Sequence, residues 1–151
     1  MGTDKIDKEE ISHILILKGR SVVPGVKEGK ALVLSRSFSA FGGINPFTGK
    51  IIEPRHPQKG ENVRKTVLIF PNGKGSSGFS LYFHILNLRG RAPRAMIINK
   101  VNSLTALAAV VGNIPTIGGP FELDKDPPEI LKTGDKLVVD ATKGLVFKVS
   151  D

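Results

Sequence analysis

The chain of 151 residues has no cysteine and no tryptophan, one tyrosine, two methionines and three histidines. Without cysteine it holds no disulfide and no thiol nucleophile, and it cannot by itself ligate an iron–sulfur cluster or a thiolate zinc site. His13, His56 and His84 are scattered without metal-ligand spacing, and His84 falls in a helical stretch where a surface or half-buried place is the ordinary one. No apolar run nears the ~18 residues of a membrane span, and no leader of the charged–apolar–small type opens the chain. A soluble, cytoplasmic protein is expected, with no membrane partner. Acids are also scarce: 14 Asp and Glu face 22 Lys and Arg, a net charge of +8. Such a surface suits an anionic small molecule, an acidic protein or nucleic acid. Nucleic-acid binding calls for basic residues clustered with aromatics. Here they are spread out, and the one basic run, Arg89-Gly90-Arg91-Ala92-Pro93-Arg94, reads as a solvated loop. No nucleic-acid partner is expected.

What the chain has in quantity is glycine, 17 residues, and their placement is informative. Phe70-Pro71-Asn72-Gly73-Lys74-Gly75-Ser76-Ser77-Gly78 lies between Val67-Leu68-Ile69-Phe70, which reads as a buried strand, and a helical pattern. Phe79, Tyr82, Phe83 and Leu86 fall at i, i+3, i+4 and i+7, one helix face, and Gly90 ends it. A glycine-rich turn between strand and helix lets the backbone approach a ligand and aims free helix N–H groups at it, a geometry that suits an anion. The run is no phosphate loop of the Gly-x4-Gly-Lys-Ser/Thr type, because Gly75 follows Lys74. Gly73, Gly75 and Gly78 match the dinucleotide spacing, but no strand ending in an acid follows about 20 residues on. There is no Gly-x-Ser-x-Gly elbow either. On the local pattern alone, Ser76 is either a helix cap or a group with chemistry to do.

At this length the chain forms one domain able to bury a core, preceded by a charged, flexible extension over residues 1–12. Residues 14–18, 31–35, 66–70, 95–99 and 115–117 read as strands, with Val23-Pro24-Gly25 a turn. Residues 77–88 and 103–111 read as helices, the second with Ser103 as its N-cap. Residues 38–57 lack periodicity but carry Phe38, Phe41 and Phe47, the mark of an ordered, functional loop. Within it Gly42 and Gly43 permit close backbone approach, and Arg55 or His56 suits a carboxylate or phosphate. Residues 136–140 and 145–149 form a hairpin through Ala141-Thr142-Lys143-Gly144. The fold class is therefore mixed α/β, two βα steps with a hairpin closing the sheet.

Taken together these segments resemble the small subunit, or swivel domain, of the aconitase X family of hydro-lyases. The resemblance runs through Gly19-Arg20-Ser21-Val22-Val23-Pro24-Gly25, Gly29-Lys30-Ala31-Leu32-Val33 and Phe41-Gly42-Gly43-Ile44-Asn45-Pro46-Phe47-Thr48-Gly49-Lys50-Ile51-Ile52. It continues through Arg55-His56-Pro57, Gly73-Lys74-Gly75-Ser76-Ser77-Gly78, Ala92-Pro93-Arg94-Ala95 and Gly112-Asn113-Ile114-Pro115-Thr116. In all it spans residues 14–149, and Asn45 stands where the family pattern has an acid.

The resemblance implies a swivelling β/β/α domain, residues 13–151, built of a mixed sheet or barrel-like sheets with two or three helices. It implies a heterodimer whose large subunit carries a [4Fe–4S] cluster on its own cysteines, while this chain binds no cofactor and supplies a serine base. Ser76 matches that serine, with Ser77 the competing choice. Gly42, Gly43, Arg55, His56, Lys74, Gly75 and Ser77 are then the candidate substrate-binding residues, with no metal ligand among them. The implied reaction is removal of water from (R)-5-phosphomevalonate to give trans-anhydromevalonate 5-phosphate, in a modified mevalonate route to isoprenoids. The alternatives are dehydration of a hydroxyproline, a phosphohistidine-carrying swivel domain and a non-catalytic anion-binding module. The phosphohistidine reading is suggested by Thr133-Gly134-Asp135-Lys136-Leu137-Val138-Val139-Asp140, but it lacks a histidine between Pro57 and Phe83.

Overall fold

Residues 67–70 and 95–98 are apolar at every position, the composition of strands covered on both faces, and they become the middle of a mixed sheet. The computed structural model describes residues 13–39, 43–74, 78–122 and 127–149; the expected N-terminal extension lies outside them. The chain runs through β1 (His13–Lys18), β2 (Arg20–Val23), β3 (Val26–Val33), β4 (Phe38–Ser39), β5 (Thr66–Phe70), β6 (Gly73–Lys74) and α1 (Gly78–Leu88). Then come β7 (Ala95–Ile98), α2 (Ser103–Val111), β8 (Thr116–Gly118), α3 (Pro127–Ile130), β9 (Lys136–Asp140) and β10 (Leu145–Val149).

Eight strands form one sheet in the order β1-β10-β9-β3-β5-β7-β8-β2. Its centre, β3, β5, β7 and β8, is parallel, and α1 and α2 are the crossovers from β5 to β7 and from β7 to β8. Side chains alternate between two cores, as the pleat requires. Leu32, Leu68, Phe70, Met96 and Ile98 pack with Phe79, Phe83, Leu86, Ala108 and Ala109 of the helices. Ala31, Val67, Ile69, Ala95 and Ile97 join Leu17, Ile117, Leu137, Val139 and Val146 on the other side. The expected helical face is confirmed, with Phe79 and Phe83 stacked at 5.3 Å.

β1 and β2 sit at opposite ends of the strand order, yet only Gly19 separates them. One extended segment therefore pairs with β10 through its first half and with β8 through its second. The sheet curls until this one segment forms both of its ends, β1 paired with β10 and β2 with β8. A Cβ on Gly19 would lie 2.7 Å from Phe121 and 2.8 Å from the Gly118 carbonyl and Ile117, so the crossing point admits no side chain. The hairpin β9–β10 does not itself close the sheet. It lies between β3 and β1, and the segment through Gly19 makes the closure. β2 and the first half of β3 escape sequence pattern because most of their residues face solvent.

In the loop between β4 and β5, Ile44, Ile51 and Val63 are fully buried in the helix-side core. Asn45 accepts from the Phe47 N–H through Oδ1 at 2.9 Å, and its carbonyl accepts from the Gly49 N–H at 2.8 Å. It shapes a turn, a task that the family's acid at this position would perform equally well.

Candidate functional site

β5 ends at Phe70, and the chain passes through Pro71 and Asn72 into β6. The neighbouring turn after β7 holds it there. The Lys100 N–H donates to the Pro71 carbonyl at 2.8 Å, and Asn102 Nδ2 donates to the Gly73 carbonyl at 3.0 Å. Asn102 is also the N-cap of α2. Its Oδ1 accepts from the Thr105 N–H at 3.0 Å, and Thr105 Oγ1 accepts from the Asn102 N–H at 3.0 Å, a reciprocal capping box. The cap is Asn102, not Ser103 as expected, because Thr105 three residues on completes the pair. A Cβ on Gly73 would come within 2.6 Å of Thr105 Cγ2 and 2.8 Å of Phe79 Cζ. Packing demands glycine here.

Beyond Gly73, Lys74 is exposed, and α1 begins at Gly78 with no acid in its first turn to offset its positive end. Gly75, Ser76 and Ser77 lie outside the described residues, as does Gly42. Gly43 is buried. A Cβ there would collide with the Ser39 carbonyl and stand 3.2 Å from Glu53 Oε1.

β4 and β6 pair in parallel, Ser39 opposite Lys74, and Glu53 ties the long loop to them. Its Oε1 accepts from the Ser39 N–H at 3.1 Å, and its N–H donates to the Gly43 carbonyl at 3.2 Å. The next turn carries the two residues expected to hold an anion, and it separates them. Arg55 is exposed with φ at 66°. His56 is only 5% exposed. The His56 N–H donates to the Glu53 carbonyl at 3.2 Å, and Nδ1 accepts from the Gln58 N–H at 3.1 Å. Nε2 is buried with no hydrogen-bond partner among the described residues. Gln58 Oε1 accepts in turn from the Ser35 N–H at 3.1 Å, just past the end of β3.

The structure thus gathers Gly43, His56 and Lys74 into one bonded cluster beyond the C-terminal ends of β3 and β5, with Arg55 on its outer side. Sequence reasoning missed four supports of that cluster: Asn102, Thr105, Glu53 and Gln58. The Asn-x-x-Thr spacing signals the first two. Nothing local marks the others, whose partners lie 14 and 23 residues away. A cavity of about 380 Å³ lies elsewhere, at the N-terminal ends of β5 and β7, among Glu28, Lys30, Arg94 and Lys136.

The family model of the aconitase X swivel domain matches residues 16–148. The phosphomevalonate dehydratase small subunit of Methanocella arvoryzae is 40% identical over 130 residues, 86% of this chain and 96% of that one. Its counterpart in Pyrococcus furiosus is 36% identical over 130 residues, 86% and 92% of the two chains. The holo-form aconitase X of Thermococcus kodakaraensis superposes with a TM-score of 0.82 at 33% identity, covering 89% of this chain and 98% of that one. A further relative, solved by NMR in solution, gives 0.78 at 34% identity over 91% and 100% of the two chains. The match takes in the sheet, both long helices and the glycine-rich turn between strand and helix, and this chain belongs to the aconitase X swivel-domain family.

Proposed function

We propose that this chain is the small subunit of a hydro-lyase that removes water from (R)-5-phosphomevalonate to give trans-anhydromevalonate 5-phosphate. The observation that carries this reading is the 34–40% identity, over nearly their whole length, to relatives named as phosphomevalonate dehydratase small subunits. Those relatives favour it over dehydration of a hydroxyproline. It acts with a large subunit, as "small subunit" in the relatives' names implies, and turns over nothing alone. An iron–sulfur cluster on that subunit would supply Lewis acidity at the departing hydroxyl; with no cysteine, this chain offers it no thiolate.

The work of this chain is proton removal and substrate placement. Elimination needs a base at the carbon beside the one that loses its hydroxyl. A neutral serine is a poor base, so Ser76 acts as an alkoxide stabilised by the positive end of the α1 dipole and by the charge of Lys74. Gly42 and Gly75 admit the substrate close to the backbone, while the space beside Gly43 is taken by the Ser39 carbonyl. Arg55, His56 and Ser77 bind its anionic groups.

The test is reconstitution. The chain mixed with its cluster-loaded large subunit is expected to consume 5-phosphomevalonate, measured by chromatography of the product, and to leave hydroxyproline untouched. Dehydration by this chain alone in metal-free buffer would overturn the reading.

A further inference from the structure

His56 is a buried titratable side chain that the reaction does not use as a base, and its surroundings specify its hydrogen-bonding state. The Gln58 N–H is a backbone amide and can only donate, so the nitrogen it meets at 3.1 Å, Nδ1, carries a lone pair. The proton of a neutral imidazole then sits on Nε2. That N–H is buried, in a residue only 5% exposed, and finds no acceptor among the described residues. A buried donor without an acceptor is rare, because burial removes water without replacing its bond. The turn that holds the ring is itself tied down, through the His56 N–H on the Glu53 carbonyl and through Gln58 on Ser35. Glu53 holds Ser39, which lies opposite Lys74 in the β4–β6 pair. The unsatisfied donor therefore belongs to the same bonded cluster as the lysine that leads into the glycine-rich turn.

We propose that His56 is a neutral hydrogen-bond donor, fixed as the Nε2–H tautomer, to an anionic oxygen of the bound substrate. This rests on the dehydratase reading above and adds a defined chemistry to it. Lys74 and Arg55 are exposed charges that attract the anion. His56 is a rigid, uncharged donor that orients it. Its proton stays on Nε2 throughout, so no bond is made or broken at the ring.

Two substitutions separate this from a purely structural part. In His56→Asn the amide oxygen takes the place of Nδ1 and keeps the Gln58 N–H, while the distant donor is lost. In His56→Gln the amide nitrogen reaches the place of Nε2, while the near acceptor is lost. In the reconstituted pair, His56→Asn is expected to keep its melting temperature and lose about 10–100-fold in kcat/KM, the weight of one bond to a charged group. His56→Gln is expected to recover most of that activity. The reverse order, His56→Asn active and His56→Gln impaired, overturns the proposal.

Inhibition of the pair by inorganic phosphate and by acetate identifies the oxygen: the anion whose inhibition weakens in His56→Asn is the one held, and no weakening of either overturns the proposal. The tautomer is read on the full chain by ¹⁵N-histidine NMR, with the proton expected on Nε2; a proton on Nδ1 overturns it. If the wild-type pair leaves phosphomevalonate unchanged, the dehydratase reading fails instead, and the NMR result still stands as a test of the histidine.

Discussion

Among single residues, Ser76 and Arg55 allow the sharpest separation of chemistry from structure. A lost catalytic base lowers turnover by about 10²–10⁴-fold or more, whereas a lost helix cap costs about 1 kcal/mol of stability. Ser76→Ala is therefore expected to abolish turnover in the reconstituted pair with folding and assembly intact, as followed by steady-state kinetics and thermal melting. Ser77→Ala is expected to raise KM more than it lowers kcat. A dead Ser77→Ala beside an active Ser76→Ala would move the base one residue on. Arg55 holds φ at 66°, a conformation that costs a residue with a Cβ about 1–2 kcal/mol. Arg55→Gly relieves that strain but gives the unfolded chain more freedom, about 0.5–1 kcal/mol in the opposite sense. The two nearly cancel, so the variant is expected to melt within a few degrees of wild type while KM for the anionic substrate rises. An unchanged KM would place Arg55 outside the site.

For the elements, α2 serves the turn after β5 through its N-cap. Asn102 joins two tasks in one side chain: Oδ1 caps the helix and Nδ2 holds the Gly73 carbonyl. Asn102→Asp keeps the acceptor and removes the donor. It is expected to leave α2 capped, with stability changed by no more than about 1 kcal/mol, while kcat falls because the glycine-rich turn loses its anchor. Asn102→Ala removes both functions and is expected to cost about 1–3 kcal/mol, the cap and the bond together. A fall in stability without a change in kcat for Asn102→Asp would make the contact structural only. Kinetics and chemical denaturation of both variants decide the matter.

The whole molecule is a closed sheet and a strongly basic partner. Closure depends on the crossing at Gly19, and Gly19→Val forces a side chain against Phe121, Ile117 and the Gly118 carbonyl. Overpacking of this kind costs about 1–3 kcal/mol, and loss of amide-exchange protection in β1 and β2 is expected first. The net charge of +8 suits a steered encounter with a surface of opposite charge on the large subunit. The association rate is expected to fall as ionic strength rises from about 0.01 to 0.15 M, where the screening length shortens from about 30 to 8 Å. A rate independent of salt would locate the charge away from the interface.

The parts legible in the sequence are those in which one chain segment carries its own signal. The apolar runs at 67–70 and 95–98 read as buried strands because they are apolar on both faces and too short for a buried helix, and Phe79, Phe83 and Leu86 announce their helix by spacing alone. The glycine-rich turn, the ordered loop and the order of family motifs are equally local. Residues 20–30 hide their strand because their partners in β8 and β9 lie about a hundred residues away and their side chains face water. The same holds for the site. Lys74, Arg55 and His56 can be named from type and spacing, and the Gln58 N–H that meets His56 Nδ1 is only two residues away, but burial of His56 and exposure of Arg55 arise only when the loop folds against β3 and β4. Hydrogen bonds between distant segments, such as those of Ser35 to Gln58 and Ser39 to Glu53, leave no period in a sequence, so the tertiary structure alone decides where the loop sits and which of its side chains it buries.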